Sequence, residues 1–306
     1  MSERGDEGRA GEGAPPPEWL DRREFPFPSR WWQTEVGRMH YIDEGEGPPI
    51  VFVHGVPAWS FNFRVLVRGL SSRYRCVAAD HLGFGLSDKP TGWHYDPAAL
   101  ATHLEAWIVG LGLGKVTLVV HDWGGPLGLA YALRHPENVA RLVLMNSWMW
   151  SSEGDLRARL MARFLASPPY MALEDRIAVT ARLFTRLAVA RRDQIHPGLF
   201  AHFGAPFRRR EDRAGLRALV RAIHGSDKWV GSLWKEREQI RDLPTLILWG
   251  MKDPAFPPRY LARWETLFTR ARIERLVGVG HYPHEEAPEE VLRMIEAFLA
   301  GEEPTS

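Results

Sequence analysis

The sequence predicts an α/β fold with a doubly wound, mostly parallel sheet and one inserted helical segment. Short runs rich in Val, Ile and Leu, bounded by Gly, Pro or Asp, recur along the 306-residue chain. Runs that are apolar on both faces are typical of buried parallel strands. Helical patterns lie between most of these runs, and such alternation indicates a doubly wound sheet.

The individual elements follow from this alternation. The runs that predict strands cover residues 50–54, 75–80, 115–122, 141–146, 245–250 and 273–278. The patterns with helical periodicity cover residues 59–70, 96–111, 125–135, 257–268 and 288–299. These patterns place the strands in the interior and the helices on the two faces of the sheet.

The alternation breaks once, between residues 151 and 242, where only amphipathic helical patterns occur. We interpret residues 151–242 as a helical cap inserted into a core made of residues 31–150 and 243–302. The cap is expected to cover the carboxyl edge of the sheet, which is where open α/β sheets bind ligands. Residues 1–30 are charged and rich in Gly and Pro at the start, and they are expected to form a disordered leader.

The composition excludes several classes of protein. The formal charge of +1 gives no reason to expect nucleic acid or an anionic membrane as a partner. No segment offers the roughly 20 consecutive apolar residues that a membrane span requires. The single cysteine, Cys76, cannot form an internal disulfide, which suits the reducing cytoplasm that we expect as the compartment.

Polar side chains follow several predicted strands, at the ends where parallel strands meet one edge of a sheet. His54 and Gly55 lie at the end of the first predicted strand, and Asp122 lies at the end of the third. Asp253 follows the fifth predicted strand, and His281 follows the last. Asp122 alone could be the N-cap of the next helix, because Asp accepts hydrogen bonds from the first turn. The order Asp122, Asp253, His281 is instead that of nucleophile, acid and histidine in a catalytic triad. We therefore interpret Asp122 as a nucleophile.

Five motifs carry a resemblance to a known family. They are HGVPAWS (54–60), DHLGFGLSDKP (80–90), HDWGGPLGL (121–129), GMKDPAF (250–256) and GHYPHEE (280–286). With them the chain resembles the α/β-hydrolases that use an aspartate nucleophile, and haloalkane dehalogenases in particular, over about residues 36–300. The resemblance implies the α/β-hydrolase fold and an enzyme that converts a haloalkane and water into an alcohol and a halide ion. It implies no cofactor and no metal.

The chemistry expected of these residues agrees with the resemblance. A carboxylate is ionised at neutral pH, so Asp122 needs no base before it attacks a saturated carbon. The product is an ester, which water must hydrolyse; His281 can take the proton of that water while Asp253 orients the imidazole. The backbone N–H groups of Val56 and Trp123 are expected to hold the oxyanion, and the indole N–H of Trp123 is expected to face the halide.

One position departs from the family pattern. Many haloalkane dehalogenases have an asparagine at the position of Val56, where its amide is the second halide donor, and another branch uses a tryptophan from the cap. The second donor stays unassigned here, because Trp148 and Trp150 follow a strand, while Trp229 and Trp234 lie late in the cap.

The residues expected to form the pocket are aromatic, which indicates a small apolar organic substrate. They are Trp59, Phe164, Phe184, Phe203, Phe207 and Trp229. An epoxide hydrolase with the same triad is the alternative function. That family opens the epoxide with two cap tyrosines, and residues 151–242 contain one, Tyr170. A purely binding role on this scaffold is disfavoured, because binding alone does not require an intact triad.

Overall fold

A computed structural model of the chain describes residues 16–196 and 198–302, and its centre is an eight-stranded sheet. The strands are β1 (Arg30–Gln33), β2 (Arg38–Glu44), β3 (Pro49–Val53), β4 (Arg75–Ala79), β5 (Val116–Asp122), β6 (Val139–Ser147), β7 (Thr245–Gly250) and β8 (Arg272–Leu276). Their order in the sheet is β1-β2-β4-β3-β5-β6-β7-β8. Strands β3 to β8 are parallel, whereas β1 and β2 are antiparallel to their neighbours.

The described residues contain twelve α-helices in addition to the sheet. They are α1 (Arg64–Leu70), α2 (Pro97–Gly110), α3 (Gly124–Arg134), α4 (Leu156–Leu165), α5 (Pro168–Ile177), α6 (Thr185–Ala188), α7 (Leu199–Gly204), α8 (Ala214–Gly225), α9 (Asp227–Lys235), α10 (Pro258–Leu267), α11 (Pro283–Glu286) and α12 (Pro288–Ala300). A π-helical turn, Thr180–Phe184, immediately precedes α6.

The sheet buries both of its faces, as the continuous apolar runs predict. Alternate side chains of β3 point in opposite directions, because successive residues of a strand face opposite sides. Val51 and Val53 therefore pack with α2, α3 and α10 in one core, while Ile50 and Phe52 pack with α1 and α12 in the other. Helices on both faces of a mostly parallel sheet confirm the predicted fold class.

All six predicted strands and all five predicted helices are present. Their ends differ by at most two residues, except that the first helix, predicted from residue 59, begins as a 3₁₀ turn at Ser60 and is α-helical only from Arg64. Strands β1 and β2 were not predicted. They lie at the antiparallel edge of the sheet, where RWWQ and RMHYIDE mix polar with apolar residues and lack a continuous apolar run. Between β6 and β7, the described residues form helices and turns but no strand.

The prediction of a disordered leader is wrong for residues 16–29. Residues 1–15 lie outside the described residues, but residues 16–29 pack on the protein, where Leu20, Phe25 and Phe27 are buried. The ring of Phe25 lies 5.1 Å from that of Trp59. Burial of these three apolar side chains offsets the entropy lost on ordering, which a count of charged, Gly and Pro residues does not reveal. Within the described ranges, no helix combines the length and apolar character needed to cross a membrane.

Candidate active site

Asp122 lies at a sharp turn between β5 and α3. The strand ends at Asp122 and the helix begins at Gly124, so the chain reverses direction across Trp123. The φ angle of Asp122 is +53°, in the left-handed region that non-glycine residues rarely adopt. A Cβ atom on Gly124 would lie 2.0 Å from the carbonyl oxygen of Val53, so only glycine fits there. This is the geometry of a nucleophile elbow, which presents one side chain at the carboxyl edge of the sheet.

The carboxylate of Asp122 is held by the loop after β3. The backbone N–H of Val56 donates to Oδ1 of Asp122 at 2.7 Å. A Cβ atom on Gly55 would come within 2.2 Å of the same oxygen, which explains glycine at that position. Burial raises the pKa of Asp122 above its ordinary value, although the charge of His281 and the N–H groups of Val56 and Trp123 act in the opposite direction. The N–H of Val56 thus contacts Oδ1 and not Oδ2.

His281 lies between the two carboxylates. Its Nδ1 donates to Oδ2 of Asp253 at 2.8 Å, and its Nε2 lies 3.7 Å from Oδ2 of Asp122. Burial by itself would lower the pKa of His281, but the charge of Asp253, the hydrogen bond to it and the charge of Asp122 outweigh burial and raise it. The bond to Asp253 leaves Nε2 as the ring atom that faces Asp122.

Asn146 holds Asp253 in place, and sequence reasoning did not identify it. Its Nδ2 donates to Oδ2 of Asp253 at 2.8 Å, and its Oδ1 accepts from the N–H of Gly250 at 2.8 Å. The N–H of Ala255 donates to the other oxygen of Asp253 at 2.7 Å. Asn146 has a φ of +28° at the end of β6, next to β7 in the sheet. The signal available in the sequence was a polar residue at the end of a buried apolar run.

Three further histidines support the loops around this site. His54 accepts from the N–H of His81 at 3.0 Å, and His121 donates through Nε2 to the carbonyl oxygen of His281 at 2.7 Å. His284 is fully buried and stacks on Phe63, with a ring separation of 5.2 Å. Burial, with the charges of neighbouring groups, lowers the pKa of His284 to about 3. These rings pack and form hydrogen bonds around the site.

A cavity of about 480 Å³ opens above Asp122. Asp122, Trp123, Val56, Asp253 and His281 contribute to its floor. Its other walls are mainly apolar and aromatic, and they include Trp148, Trp150, Met161, Leu165, Tyr170, Phe184, Val220, Ile223, Phe256 and Tyr260. Such a lining suits an apolar ligand that meets a few polar groups at one end.

Most of the predicted aromatic wall lies elsewhere. Of the six candidates, Phe184 alone lines the cavity. Trp59 is buried and donates its indole N–H to the carbonyl oxygen of His202, at 3.0 Å. Phe203 packs on Tyr282 and Phe207 packs on Phe84.

The two remaining candidates also lie outside the cavity lining. Trp229 is half-buried against the core on α9, and Phe164 is exposed to solvent on α4. The aromatic content of the helical segment was therefore insufficient to predict the wall. Which face of a helix is buried depends on tertiary packing that the content of a segment does not specify.

Two tryptophans meet beside Asp122. The rings of Trp123 and Trp148 are 4.9 Å apart and inclined by 72°. Phe256 stacks between Trp148 and His281, with ring separations of 5.3 Å and 5.6 Å. Among the described residues, the indole N–H groups that donate to protein acceptors belong to three other tryptophans, Trp59, Trp249 and Trp264. The two indoles beside Asp122 are thus donors not used by the fold.

Comparisons with known proteins agree with this geometry. The family described as alpha/beta hydrolase fold matches residues 48–288. The chain is 34% identical over 278 residues to haloalkane dehalogenase 2 of Mycobacterium tuberculosis, covering 90% of this chain and 96% of that protein. It is 30% identical to a cis-3-alkyl-4-alkyloxetan-2-one decarboxylase of Shewanella oneidensis, covering 91% and 90%. The crystal structure of a haloalkane dehalogenase from Bradyrhizobium elkani, 24% identical, has the same fold, with a TM-score of 0.81 over 90% of this chain and 98% of the other.

Proposed function

The chain belongs to the α/β-hydrolase family and resembles its haloalkane dehalogenases, and from this premise we propose that it cleaves the carbon–halogen bond of a small apolar haloalkane. The observation that carries the proposal is the position of Asp122 at the floor of an apolar cavity, beside two indoles and within reach of His281. Water is the second substrate, and the products are an alcohol, a halide ion and a proton. We further propose that residues 151–242 form a cap that supplies part of the cavity wall.

The first step is substitution at carbon. Val56 holds Oδ1 of Asp122, so Oδ2 is the oxygen that attacks the carbon bearing the halogen. A carbon–oxygen bond forms while the carbon–halogen bond breaks, and the bonding pair leaves with the halide. The intermediate is an alkyl ester of Asp122, and burial that weakens hydration of the carboxylate favours this attack.

The second step is hydrolysis of that ester. His281 takes a proton from water through Nε2, and the hydroxide attacks Cγ of Asp122. The N–H of Val56 already contacts Oδ1, and with the N–H of Trp123 it stabilises the negative charge of the tetrahedral intermediate. The alkoxide leaves and takes the proton from His281, which releases the alcohol. The carboxylic acid that remains on Asp122 then loses its proton to solvent, which restores the carboxylate. Asp253 stabilises the imidazolium between these proton transfers.

The halide site follows from the indole pair. Trp123 directly follows the nucleophile, and Trp148 lies against it with no protein acceptor for its own N–H in the described residues. We assign the second donor to Trp148, because Val56 has no side-chain donor. Two N–H groups act on the leaving group mainly in the transition state, since its charge develops as the bond breaks.

Epoxide hydrolysis is the second candidate, and Tyr170 is the observation that favours it. Tyr170 lines the cavity, and its hydroxyl lies 3.0 Å from Oγ1 of Thr180. Burial raises the pKa of Tyr170, so the phenol stays protonated and can donate to an epoxide oxygen. Epoxide opening would still use Asp122 and His281, so the triad alone does not distinguish the two reactions.

A substrate panel tests the proposal. Purified wild-type protein is incubated separately with short bromoalkanes, with alkyl epoxides and with a cis-3,4-dialkyloxetan-2-one, and halide, diol and carbon dioxide are measured. We expect halide and alcohol from bromoalkanes, and none from the Asp122→Ala variant. Diol from epoxides or carbon dioxide from the oxetanone, without halide from any bromoalkane, would overturn the proposal.

A further inference from the structure

Helix α4 exposes an apolar stripe to solvent. Leu156, Leu160 and Phe164 are spaced by four residues, so they lie on one side of the helix. Their exposed fractions are 66%, 57% and 59%, which is unusual for three large apolar side chains in a row. The opposite side of the helix is the one that packs on the protein, through Ala162 and Leu165.

Arginines lie on both sides of this stripe. Consecutive residues of an α-helix are separated by about 100° around the axis. Arg157 therefore lies to one side of the stripe, and Arg159 and Arg163 lie to the other; all three are exposed. The acidic residue that precedes the helix, Asp155, pairs with Arg259 and not with these arginines.

The surrounding segment is strongly basic although the whole chain is nearly neutral. Residues 156–192 contain eight arginines and two acidic residues, a formal charge of +6 against +1 for the whole chain. Of the two acids, Glu174 is buried and bonded to Thr180, and Asp175 pairs with arginines outside the segment. The segment also exposes further large apolar side chains, namely Leu173, Ile177, Leu183 and Leu187.

We propose that the exposed face of α4, formed by Leu156, Leu160 and Phe164 with the flanking arginines, binds an anionic lipid surface. An apolar stripe flanked by arginines is the pattern of helices that lie in a membrane interface. The apolar side chains enter the acyl boundary, while the guanidinium groups contact lipid phosphates. A second copy of the chain is a poorer occupant, because a symmetric contact would bring two +6 segments together.

The lipid-binding face adjoins the cavity above Asp122. Arg157 and Met161 belong to α4 and also line that cavity. An apolar substrate dissolved in a membrane would therefore reach the cavity beside the docked helix. This inference differs from the expectation of no membrane partner, which rested on the charge of the whole chain and not on its distribution. It concerns a surface outside the triad and does not depend on which bond the enzyme cleaves.

Vesicle co-sedimentation tests the inference with the full-length protein. We expect binding to vesicles that contain phosphatidylglycerol, little binding to pure phosphatidylcholine, and weaker binding in 0.5 M salt because surface charges are screened. Two double variants, Leu160→Asp with Phe164→Asp and Arg159→Glu with Arg163→Glu, should each reduce the affinity about tenfold or more. The matched controls are Val109→Asp, at an apolar residue that is 54% exposed on α2, and Arg270→Glu with Arg293→Glu, at exposed arginines outside the segment.

Each outcome of this experiment is decisive. Wild-type protein that does not bind anionic vesicles overturns the inference, as does binding that the α4 and control variants reduce equally. A dimer that dissociates on Leu160→Asp, without vesicle binding, assigns the face to a second copy instead. Thermal melting and turnover of a water-soluble substrate are measured on every variant. Loss of vesicle binding in the α4 variants with turnover retained supports the inference, and it shows that the surface acts independently of the proposed reaction.

Discussion

The Nε2 atom of His281 lies 3.7 Å from Oδ2 of Asp122, which is longer than a hydrogen bond. The separation suits a histidine that acts on the Asp122 ester through a water molecule and does not bind the carboxylate directly. In the proposed reaction the two steps use different groups. Substitution at carbon depends on Asp122, whereas hydrolysis of the ester depends on His281.

The first prediction separates the two steps by mutation. Asp122→Ala should abolish turnover, because no nucleophile remains. His281→Gln should still form the ester and then stall, because no base activates water. Mass spectrometry of the His281→Gln protein after reaction with a bromoalkane should show one alkyl group on the peptide that contains Asp122. An adduct on a different residue would contradict the mechanism.

The second prediction concerns the pKa of His281. The charge of Asp122 is one of the groups that raise this pKa in the free enzyme. Ester formation removes that charge, so the pKa of His281 should be lower in the intermediate and the ring more readily neutral. Hydrolysis should be lost as the pH falls through this lower pKa, because protonated His281 cannot accept a proton. Rapid-mixing measurements of the hydrolysis phase should give an acid limb below the pKa found by NMR titration of His281 in the free enzyme.

An acid limb of the hydrolysis phase at or above the NMR value would contradict this coupling. The Asp122→Asn variant is the matched control, since it removes the same charge without an ester. Its His281 should titrate at a lower pH than in the wild type.

The third prediction concerns Asp253 as the acid of the proposed triad. Asp253 lies 2.8 Å from Nδ1 of His281, whereas Glu153 is exposed. Asp253→Asn should reduce ester hydrolysis by about 10⁴-fold, as neutralisation of a triad carboxylate does. Glu153→Gln is the control and should retain wild-type rates. The assignment is wrong if the two variants exchange these effects in single-turnover measurements.

The sequence was sufficient to predict the sheet edge but insufficient to predict the cavity wall. Asp122, Asp253 and His281 follow strands of one parallel sheet, whose carboxyl ends necessarily meet at the same edge. Strand order then brings their side chains together without detailed knowledge of packing. Phe164 and Trp148 show why the cavity wall could not be predicted in the same way. Phe164 is apolar and within the predicted cap, yet it faces solvent, whereas Trp148 follows β6 and lines the cavity.

The difference has a physical origin. The rotation of each helix of the segment is set by its contacts with the core and with other helices, and a sequence pattern gives these contacts only weakly. The same applies to Phe25, which packs on Trp59, a residue that is distant in sequence. Asn146 was missed because its role is to hold the side chain of Asp253, 107 residues away along the chain.

The fourth prediction tests Asn146 as a positioning residue. Asn146→Ala removes the N–H donor to Asp253 and should lower the rate of ester hydrolysis by about 10- to 100-fold, the range for a lost hydrogen bond to a charged group. The pKa of His281 should also change, because Asp253 becomes free to move; NMR titration measures this shift. Asn138→Ala is the control, since Asn138 makes comparable hydrogen bonds to the carbonyl oxygen of Leu113 and the N–H of Lys115, away from the site. A lower melting temperature with unchanged hydrolysis and His281 titration would show a structural role only.

The last prediction tests the leaving-group site. Trp123→Phe and Trp148→Phe each remove an indole N–H while keeping an aromatic ring, and each should reduce bromoalkane turnover by about 10²-fold or more, as loss of an oxyanion donor does. Bromide should quench the fluorescence of the wild type, and quenching should weaken in both variants. Trp150→Phe is the control, because Trp150 lines the same cavity but packs on Trp234. If Trp150→Phe has the effect expected of Trp148→Phe, the second donor is Trp150. Unquenched wild-type fluorescence, together with loss of epoxide opening in Tyr170→Phe, would reverse the halide assignment in favour of an epoxide hydrolase.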